Sequence, residues 1–238
     1  MILKCVYGDG RGKLYVAFID YHKAFDSVDR KILWEVLRES GVSSKFLSML
    51  TAMYSNVQSC VRWQHELSDM FDCRSTSGLK QGALESPSIF NLYINSVAKY
   101  VREHGRHGVQ FLPGMKEIFL LLFADDVALV STSVVGLQTQ ITNLFEISNR
   151  LKLKVNLDKT KIMVFRKGGH LARGEKWFLN GTRLEVVNQY KYLGFVFTTR
   201  LSIKSALDEI STKGKQKCVQ ILKVLWNLRC NEPTVFTK

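Results

Sequence analysis

The sequence predicts an α+β fold, a central antiparallel sheet with helices packed on it. Two apolar runs rich in β-formers carry the sheet: residues 13–20 (Lys-Leu-Tyr-Val-Ala-Phe-Ile-Asp) and residues 118–131 (Ile-Phe-Leu-Leu-Leu-Phe-Ala-Asp-Asp-Val-Ala-Leu-Val-Ser). The second run is broken by adjacent carboxylates, Asp125 and Asp126, where two strands meeting at a tight turn fit the pattern. Other segments carry apolar residues at helical spacing, such as Leu137, Ile141, Leu144 and Phe145 within 134–151.

In chain order, 13–20 reads as a buried strand ending on an acid. Ser27-Val28-Asp29 offers a cap for an amphipathic helix near 29–39 that Gly41 stops, and a second helix follows over 43–54. Residues 57–63 and 70–75 read as paired strands. Residues 78–88 form a loop bearing glycine and serine, and Pro87 suits the first turn of a helix reaching about Tyr100. After the 118–131 hairpin and the 134–151 helix comes a strand at 161–166, with short strands expected at 176–179, 184–187 and 190–198. Residues 202–228 return to a helical pattern, basic and amphipathic. The change from β-like sequence to helix near 198–200 sets the expected domain boundary, 1–198 and 199–238.

At 238 residues and 46% hydrophobic, the chain can bury a substantial core. The apolar run 118–124 is far too short to cross a membrane, and residues 1–8 lack the long apolar region of a signal peptide. Neither membrane anchoring nor secretion is expected. Five scattered cysteines (Cys5, Cys60, Cys73, Cys218, Cys230) include no Cys-x-x-Cys pair, which argues against a disulfide framework or a zinc ribbon. His104 and His107, without further ligand types beside them, read as a surface pair. The net charge of +13 is unevenly placed. Residues 1–130 hold 15 Lys/Arg against 14 Asp/Glu, while residues 131–238 hold 19 against 7. A basic flank beside an acidic centre suits a metal site next to a nucleic-acid groove, although a lysine-rich soluble surface has the same composition.

Burying one unpaired carboxylate costs several kcal/mol or forces it to protonate, so the Asp125-Asp126 pair needs a reason to be there. A divalent cation is the usual one, because oxygen clusters suit Mg²⁺. Neighbouring side chains on a strand point to opposite faces, so one aspartate acts as a direct ligand and the other supports it. On this feature alone a solvated hairpin turn explains the pair equally well. Asp20, closing the apolar strand, is a third acid of the same kind. If the two strands are neighbours, the acids converge at one end of the sheet. That makes a two-metal site, with cations about 3.5–4 Å apart clamping the attacking and leaving oxygens of a phosphoryl transfer.

These residues resemble a known set. Ala17-Phe18-Ile19-Asp20-Tyr21-His22-Lys23-Ala24-Phe25-Asp26-Ser27-Val28-Asp29 is similar to the first catalytic block of reverse transcriptases, most of all those of non-LTR (LINE-type) retrotransposons. Gly78-Leu79-Lys80-Gln81-Gly82 with Ser86-Pro87-Ser88-Ile89-Phe90-Asn91-Leu92-Tyr93-Ile94-Asn95 resembles the second block, and Phe123-Ala124-Asp125-Asp126 the third. Asn156-Leu157-Asp158-Lys159-Thr160-Lys161 resembles the fourth, and Tyr190-Lys191-Tyr192-Leu193-Gly194 the primer-grip block. Five blocks in the family's order span most of the chain, which chance does not supply.

The resemblance implies a polymerase right-hand palm over 1–198 and the start of a helical thumb over 199–238. It implies an RNA-directed DNA polymerase with an RNA template, a DNA primer and a deoxynucleoside triphosphate as partners. Two Mg²⁺ ions would serve as cofactors, Mn²⁺ being an alternative, held by Asp20, Asp125 and the backbone carbonyl of Tyr21, with Asp126 in support. Phe25 would be the steric gate that rejects a 2′-hydroxyl. Gln81 and Gly82 would pack on the nascent base pair and template. Lys159 would protonate the departing pyrophosphate or bind phosphate. The implied location is the nucleus or cytoplasm of a eukaryotic host; no oligomeric state is implied.

The chain departs from the family pattern at three places. Ala83-Leu84-Glu85 puts an acid where small or apolar residues are usual, Arg30 stands where histidine is common, and Lys152 where glycine often precedes Leu153. By the same resemblance, the basic fingers that grip a triphosphate are expected to be largely missing before the first block, so weak or no turnover is expected from the chain alone. Two other readings stand beside the polymerase: a catalytically silent nucleic-acid-binding palm, and a palm of the group II intron maturase type.

Overall fold

The computed structural model describes residues 12–55, 57–72, 76–110, 114–200 and 203–227. Residues 73–75, 202 and 228, each part of an expected element, lie outside them. The first part of the chain forms β1 (Leu14–Ile19), α1 (Ala24–Ser27), α2 (Arg30–Glu39) and α3 (Ser44–Ser55). The pairs β2 (Gln58–Ser59), β3 (Arg62–Trp63), β4 (Glu66–Leu67) and β5 (Phe71–Asp72) precede the long helix α4 (Ser86–His104). Then come β6 (Leu120–Phe123), β7 (Asp126–Ser131), α5 (Val134–Arg150) and β8 (Lys161–Phe165). Short strands β9 (Phe178–Leu179), β10 (Thr182–Arg183), β11 (Glu185–Val186), β12 (Gln189–Tyr192) and β13 (Phe195–Thr198) lead to α6 (Ile203–Asn227).

All six residues of β1 are buried. The strand lies in the middle of a five-stranded sheet ordered β11-β8-β1-β7-β6, and both of its faces are covered. Tyr15, Ala17 and Ile19 belong to the core that α4 and α5 build with Phe90, Tyr93, Leu137 and Ile141. Leu14, Val16 and Phe18 alternate onto the other face, where the β12–β13 hairpin packs Tyr190, Tyr192 and Phe197 beneath them. A strand buried on both sides has no polar face, so its sequence runs continuously apolar. Each fully buried large side chain here contributes about 1.5–3 kcal/mol.

The sheet is antiparallel as expected except at one edge, where β11 runs parallel to β8. The cap expected before the 29–39 helix is present, and a second cap, not read from the sequence, starts α5. Asp29 accepts from the backbone N–H groups of Lys31 and Ile32 at 2.9 and 3.2 Å, and Ser133 from that of Gly136 at 3.0 Å.

Several expectations need correction. Among the described residues, the expected strands at 57–63 and 70–75 appear as two-residue pairs, β2 with β5 and β3 with β4, in a region largely exposed to solvent. The expected strand at 190–198 is a hairpin that turns at Leu193 (φ 49) and Gly194 (φ 81). Asn180-Gly181 makes a similar turn between β9 and β10, a strong local signal that the sequence reading passed over. Helix α4 runs four residues further than expected, to His104. The described side chains of α6 from Ser211 to Val224 are exposed.

Candidate active site

Ile19 pairs with Val127 across β1 and β7, so the next step of the register brings Asp20 level with Asp126. Both continue the alternation of Phe18 and Ala128, so they lie on the face that the β12–β13 hairpin covers. Phe123 pairs with Asp126, leaving Ala124 and Asp125 as a two-residue turn. Ala124 sits at φ 51, the left-handed conformation that the first central residue of a strand-compatible hairpin turn requires. The three acids named from the sequence therefore meet at one end of the sheet, all half-buried. Burial pushes the Asp126 carboxyl above the usual carboxylate range, and the charges of Asp125 and Asp20 push it further.

The fourth block explains itself through Asp20. Asn156 donates its backbone N–H to the Asp20 carbonyl at 2.8 Å, and the Asp20 N–H donates to Oγ1 of the fully buried Thr160 at 3.3 Å. Between these anchors the turn presents Lys159, whose Nζ lies 4.0 Å from Asp20 Oδ2. Thr160 was quoted from the sequence without a role, and its place between two lysines offered no signal for one. Tyr21 bridges to Val155 with the bonds made by flanking residues, His22 N–H to the Lys154 carbonyl and Asn156 N–H to that of Asp20. The Tyr21 carbonyl thus stays outside this ladder, while its side chain is buried with its hydroxyl 2.9 Å from Ser148 Oγ.

Beneath the acids, Tyr190 stacks on Phe18 at 4.3 Å and Tyr192 donates its hydroxyl to the Asp126 carbonyl at 3.3 Å. Burial, then Asp126 and Tyr190, push the Tyr192 hydroxyl up to about 12, so it stays a donor. The 190–194 block is thereby fastened to the acidic turn.

Phe25 stacks on Phe90 at 4.1 Å and lines a cleft of about 780 Å³ together with Pro87, Asn91, Phe123 and Ala124. It is both a packing residue and a wall of the cleft beside the acidic turn. The second-block loop is bound to the same segment. Gly78 N–H donates to the Val28 carbonyl at 2.8 Å, Leu79 N–H to that of Phe25 at 3.0 Å, and Gln81 Nε2 to Asp26 Oδ1 at 2.8 Å. Gly82 follows at φ 83 in open space. The roles of Asp26 as partner to Gln81, and of Arg30, were missed in sequence. Arg30 donates to the Gly78 carbonyl at 2.8 Å and lies over the Tyr54 ring, tying the loop to α3.

A second departure, Lys152, also finds a local explanation, whereas nothing in the structure explains Glu85. Lys152 occupies the left-handed position just after α5 (φ 53), where Leu153 N–H closes back to the Ser148 carbonyl. That conformation favours glycine, but here the lysine pairs with Asp29 Oδ2 at 2.7 Å. Glu85 precedes α4 without capping it through its side chain, and its neighbour Leu84 is 97% exposed.

The cluster fits a divalent cation by its chemistry: three half-buried carboxylates lie at one sheet end, and the charges of Asp125 and Asp20 bear on Asp126 after its burial. Among the described residues no three His, Cys, Asp or Glu side chains form a ready cage. Mg²⁺ needs none, because it binds through one or two carboxylates and completes its shell with water and substrate phosphates.

A family profile described as reverse transcriptase (RNA-dependent DNA polymerase) matches residues 5–197. The chain belongs to the reverse transcriptase family. It is similar to the Pol polyprotein of the type-1 retrotransposable element R2 of Nasonia vitripennis, 27% identical over 201 residues, covering 78% of this chain and 18% of that protein. The corresponding polyprotein of Bradysia coprophila is 24% identical over 231 residues, covering 90% of this chain and 25% of its own length. This reverse transcriptase chain thus spans about a fifth to a quarter of these relatives, and the resemblance to the non-LTR group holds. Among solved structures, apo telomerase from Candida tropicalis matches with a TM-score of 0.55 at 14% identity, over 84% of this chain and 37% of that one. The likeness bears out the polymerase palm. No described helix is long and apolar enough to cross a membrane.

Proposed function

We propose that this chain is the catalytic palm of an RNA-directed DNA polymerase that extends a DNA primer on an RNA template with deoxynucleoside triphosphates. The observation that carries the reading is the register of β1 against β7, which brings Asp20 beside the Asp125-Asp126 turn. In this reading Asp20, Asp125 and the Tyr21 carbonyl hold two Mg²⁺ ions, or Mn²⁺ in their place, and Asp126 supports them. Bound there, the cations supply charge stabilisation for the attacking and leaving oxygens of the transfer. Asp125, at the tip of the turn, meets solvent-borne phosphate first. Asp126, level with Asp20 and above the tyrosines, adds negative field from behind. Lys159 neutralises Asp20 before substrate arrives and serves the departing pyrophosphate as acid or phosphate ligand. Phe25 forms the wall against which a 2′-hydroxyl collides, and Gln81 and Gly82 pack on the new base pair. Residues 1–198 make the palm and 199–238 begin a helical thumb. Such an enzyme works in the nucleus or cytoplasm of a eukaryotic host.

The test is primer extension on an RNA template with Mg²⁺, by the chain alone and by a polypeptide extended with regions its relatives possess. The extended form incorporates deoxynucleotides and the chain alone does so weakly or not at all. Asp125→Asn abolishes incorporation in the extended form; extension that survives this change overturns the site assignment.

A further inference from the structure

The cations that crowd residues 150–176 of the sequence (Arg150, Lys152, Lys154, Lys159, Lys161, Arg166, Lys167, Arg173 and Lys176) are divided in space by β8. Phe18 pairs with Lys161 and Leu14 with Phe165, so β8 carries the chain from the acidic end of the sheet to the opposite end. Lys152, Lys154, Lys159 and Lys161 stay with Asp20. Arg166, next after Phe165, lies about seven residues along the sheet from the level of Asp20, roughly 23 Å at about 3.3 Å per residue, and the bonds of Glu175 to Lys13 and Tyr15 keep its neighbours Arg173 and Lys176 near that end.

The distal segment 166–176 is built rather than loose. Its one acid, Glu175, is 4% exposed and turned inward, where Oε1 accepts from Lys13 Nζ at 2.5 Å and from the Tyr15 hydroxyl at 3.0 Å. Its Oε2 accepts from the Ala172 N–H at 2.8 Å. Trp177, fully buried, donates Nε1–H to the Val134 carbonyl at 3.1 Å, and Arg166 N–H donates to the Thr199 carbonyl at 3.0 Å. These bonds consume the segment's only carboxylate internally. The charged groups that face water here are all cationic: Lys167, Arg173 and Lys176 are exposed and Arg166 is half-exposed.

We propose that the 166–176 segment is a second nucleic-acid contact, in which Arg166, Arg173 and Lys176 hold the phosphate backbone of the RNA strand whose other part occupies the acidic end. The proposal rests on the polymerase reading for the occupant of that end. At about 3.4 Å per nucleotide, 23 Å corresponds to about seven nucleotides of stacked strand. Ion pairs to phosphates are indifferent to sequence and release counterions, so the contact adds affinity and salt dependence without base preference.

The experiment is binding of a labelled RNA of about 20 nucleotides to the chain itself across a salt series. Replacing Arg166, Arg173 and Lys176 together by Gln is expected to lower the slope of log affinity against log salt by about 2–3, from about 0.7–0.9 per phosphate contact. An RNA of about four nucleotides, too short to join the two ends, is expected to bind the parent and the triple variant alike at the acidic end. A melting temperature within about 2 °C of the parent's shows that the fold is kept. An unchanged slope with the long RNA overturns the proposal, as does an equal deficit with the short one. Failure here is separable from failure of the polymerase reading, because Asp125→Asn abolishes extension in that reading yet leaves this salt slope unaltered.

Discussion

Replacing Gly78 by Ala isolates the contact that fastens the 78–82 loop to the 25–28 segment. Gly78 has φ 84, and a Cβ there would lie 3.1 Å from the Asp26 carbonyl oxygen and 3.4 Å from its Cα. Gly82 has nearly the same φ, 83, with nothing within 4 Å, so Gly82→Ala reports the conformational cost alone. A left-handed alanine costs about 1–2 kcal/mol, and the reduced freedom of the unfolded chain returns about 0.4–1 kcal/mol. Gly82→Ala should therefore destabilise by about 1 kcal/mol. Gly78→Ala adds the overlap with a backbone carbonyl that has little room to retreat, because Gly78 N–H and Leu79 N–H are already bonded to Val28 and Phe25. Overpacking of this kind costs about 1–3 kcal/mol more. At about 2–4 °C per kcal/mol for a chain of this size, the Gly78 variant should melt several degrees below the Gly82 variant in a calorimetric scan. Equal melting temperatures would falsify the claim that the 78–82 loop and the 25–28 segment are one rigid unit.

Other perturbations have similarly definite outcomes. Glu175→Gln should destabilise by about 2–3 kcal/mol in urea denaturation, below the range for fully buried pairs because Lys13 is 30% exposed. Burial alone would raise the Glu175 carboxyl, but Lys13, the Ala172 N–H and Tyr15 hold it below the ordinary range. Its stabilisation is thus present above the unfolded carboxylate pKa and is lost as pH falls through the lower folded value; the Gln variant should lack that part of the acid dependence. Lys152→Gly removes left-handed strain together with the Asp29 pair, so stability should change by less than about 1 kcal/mol, whereas Lys152→Ala keeps the strain and should be the less stable of the two on melting. Tyr192→Phe deletes one hydroxyl bond to the Asp126 carbonyl and should cost about 0.5–1.5 kcal/mol. If the hairpin also holds the acidic turn in place, that variant should lose extension rate while retaining primer affinity.

Much of the site could be read from residue order because each acid interrupts an apolar strand, and strand alternation is a strict geometric rule. The same rule explains β1, whose unbroken apolar run reflects cover on both faces. What escaped was set by pairing between distant segments. The basic stretch from Arg150 to Lys176 looks like one patch until β8 is known to carry it across the sheet. Arg30 and Lys152 looked like defects against the family pattern, yet Arg30 braces Gly78 and Lys152 answers Asp29. No local periodicity encodes such partners. The 190–198 hairpin was missed because Leu193, a residue that seldom adopts positive φ, takes the turn position beside Gly194.

The inequality of the two adjacent acids follows from where a hairpin ends. Asp126 is the first residue of β7, held in register opposite Phe123, with Tyr192 on its carbonyl and Asp20 at the same level. Its place in the strand sets the direction of its Cα–Cβ bond, and burial, then the charges of Asp125 and Asp20, push its carboxyl up. Asp125 belongs to the turn, free of the ladder and next to the left-handed Ala124, so its carboxylate is not held by strand pairing. An adjustable acid beside two placed ones suits a coordination shell that only the substrate completes. By this argument Asp125→Asn and Asp20→Asn should each remove the stabilisation that Mn²⁺ gives in a melting experiment, while Asp126→Asn should weaken it without removing it. The opposite order would make Asp126 the ligand and Asp125 its support.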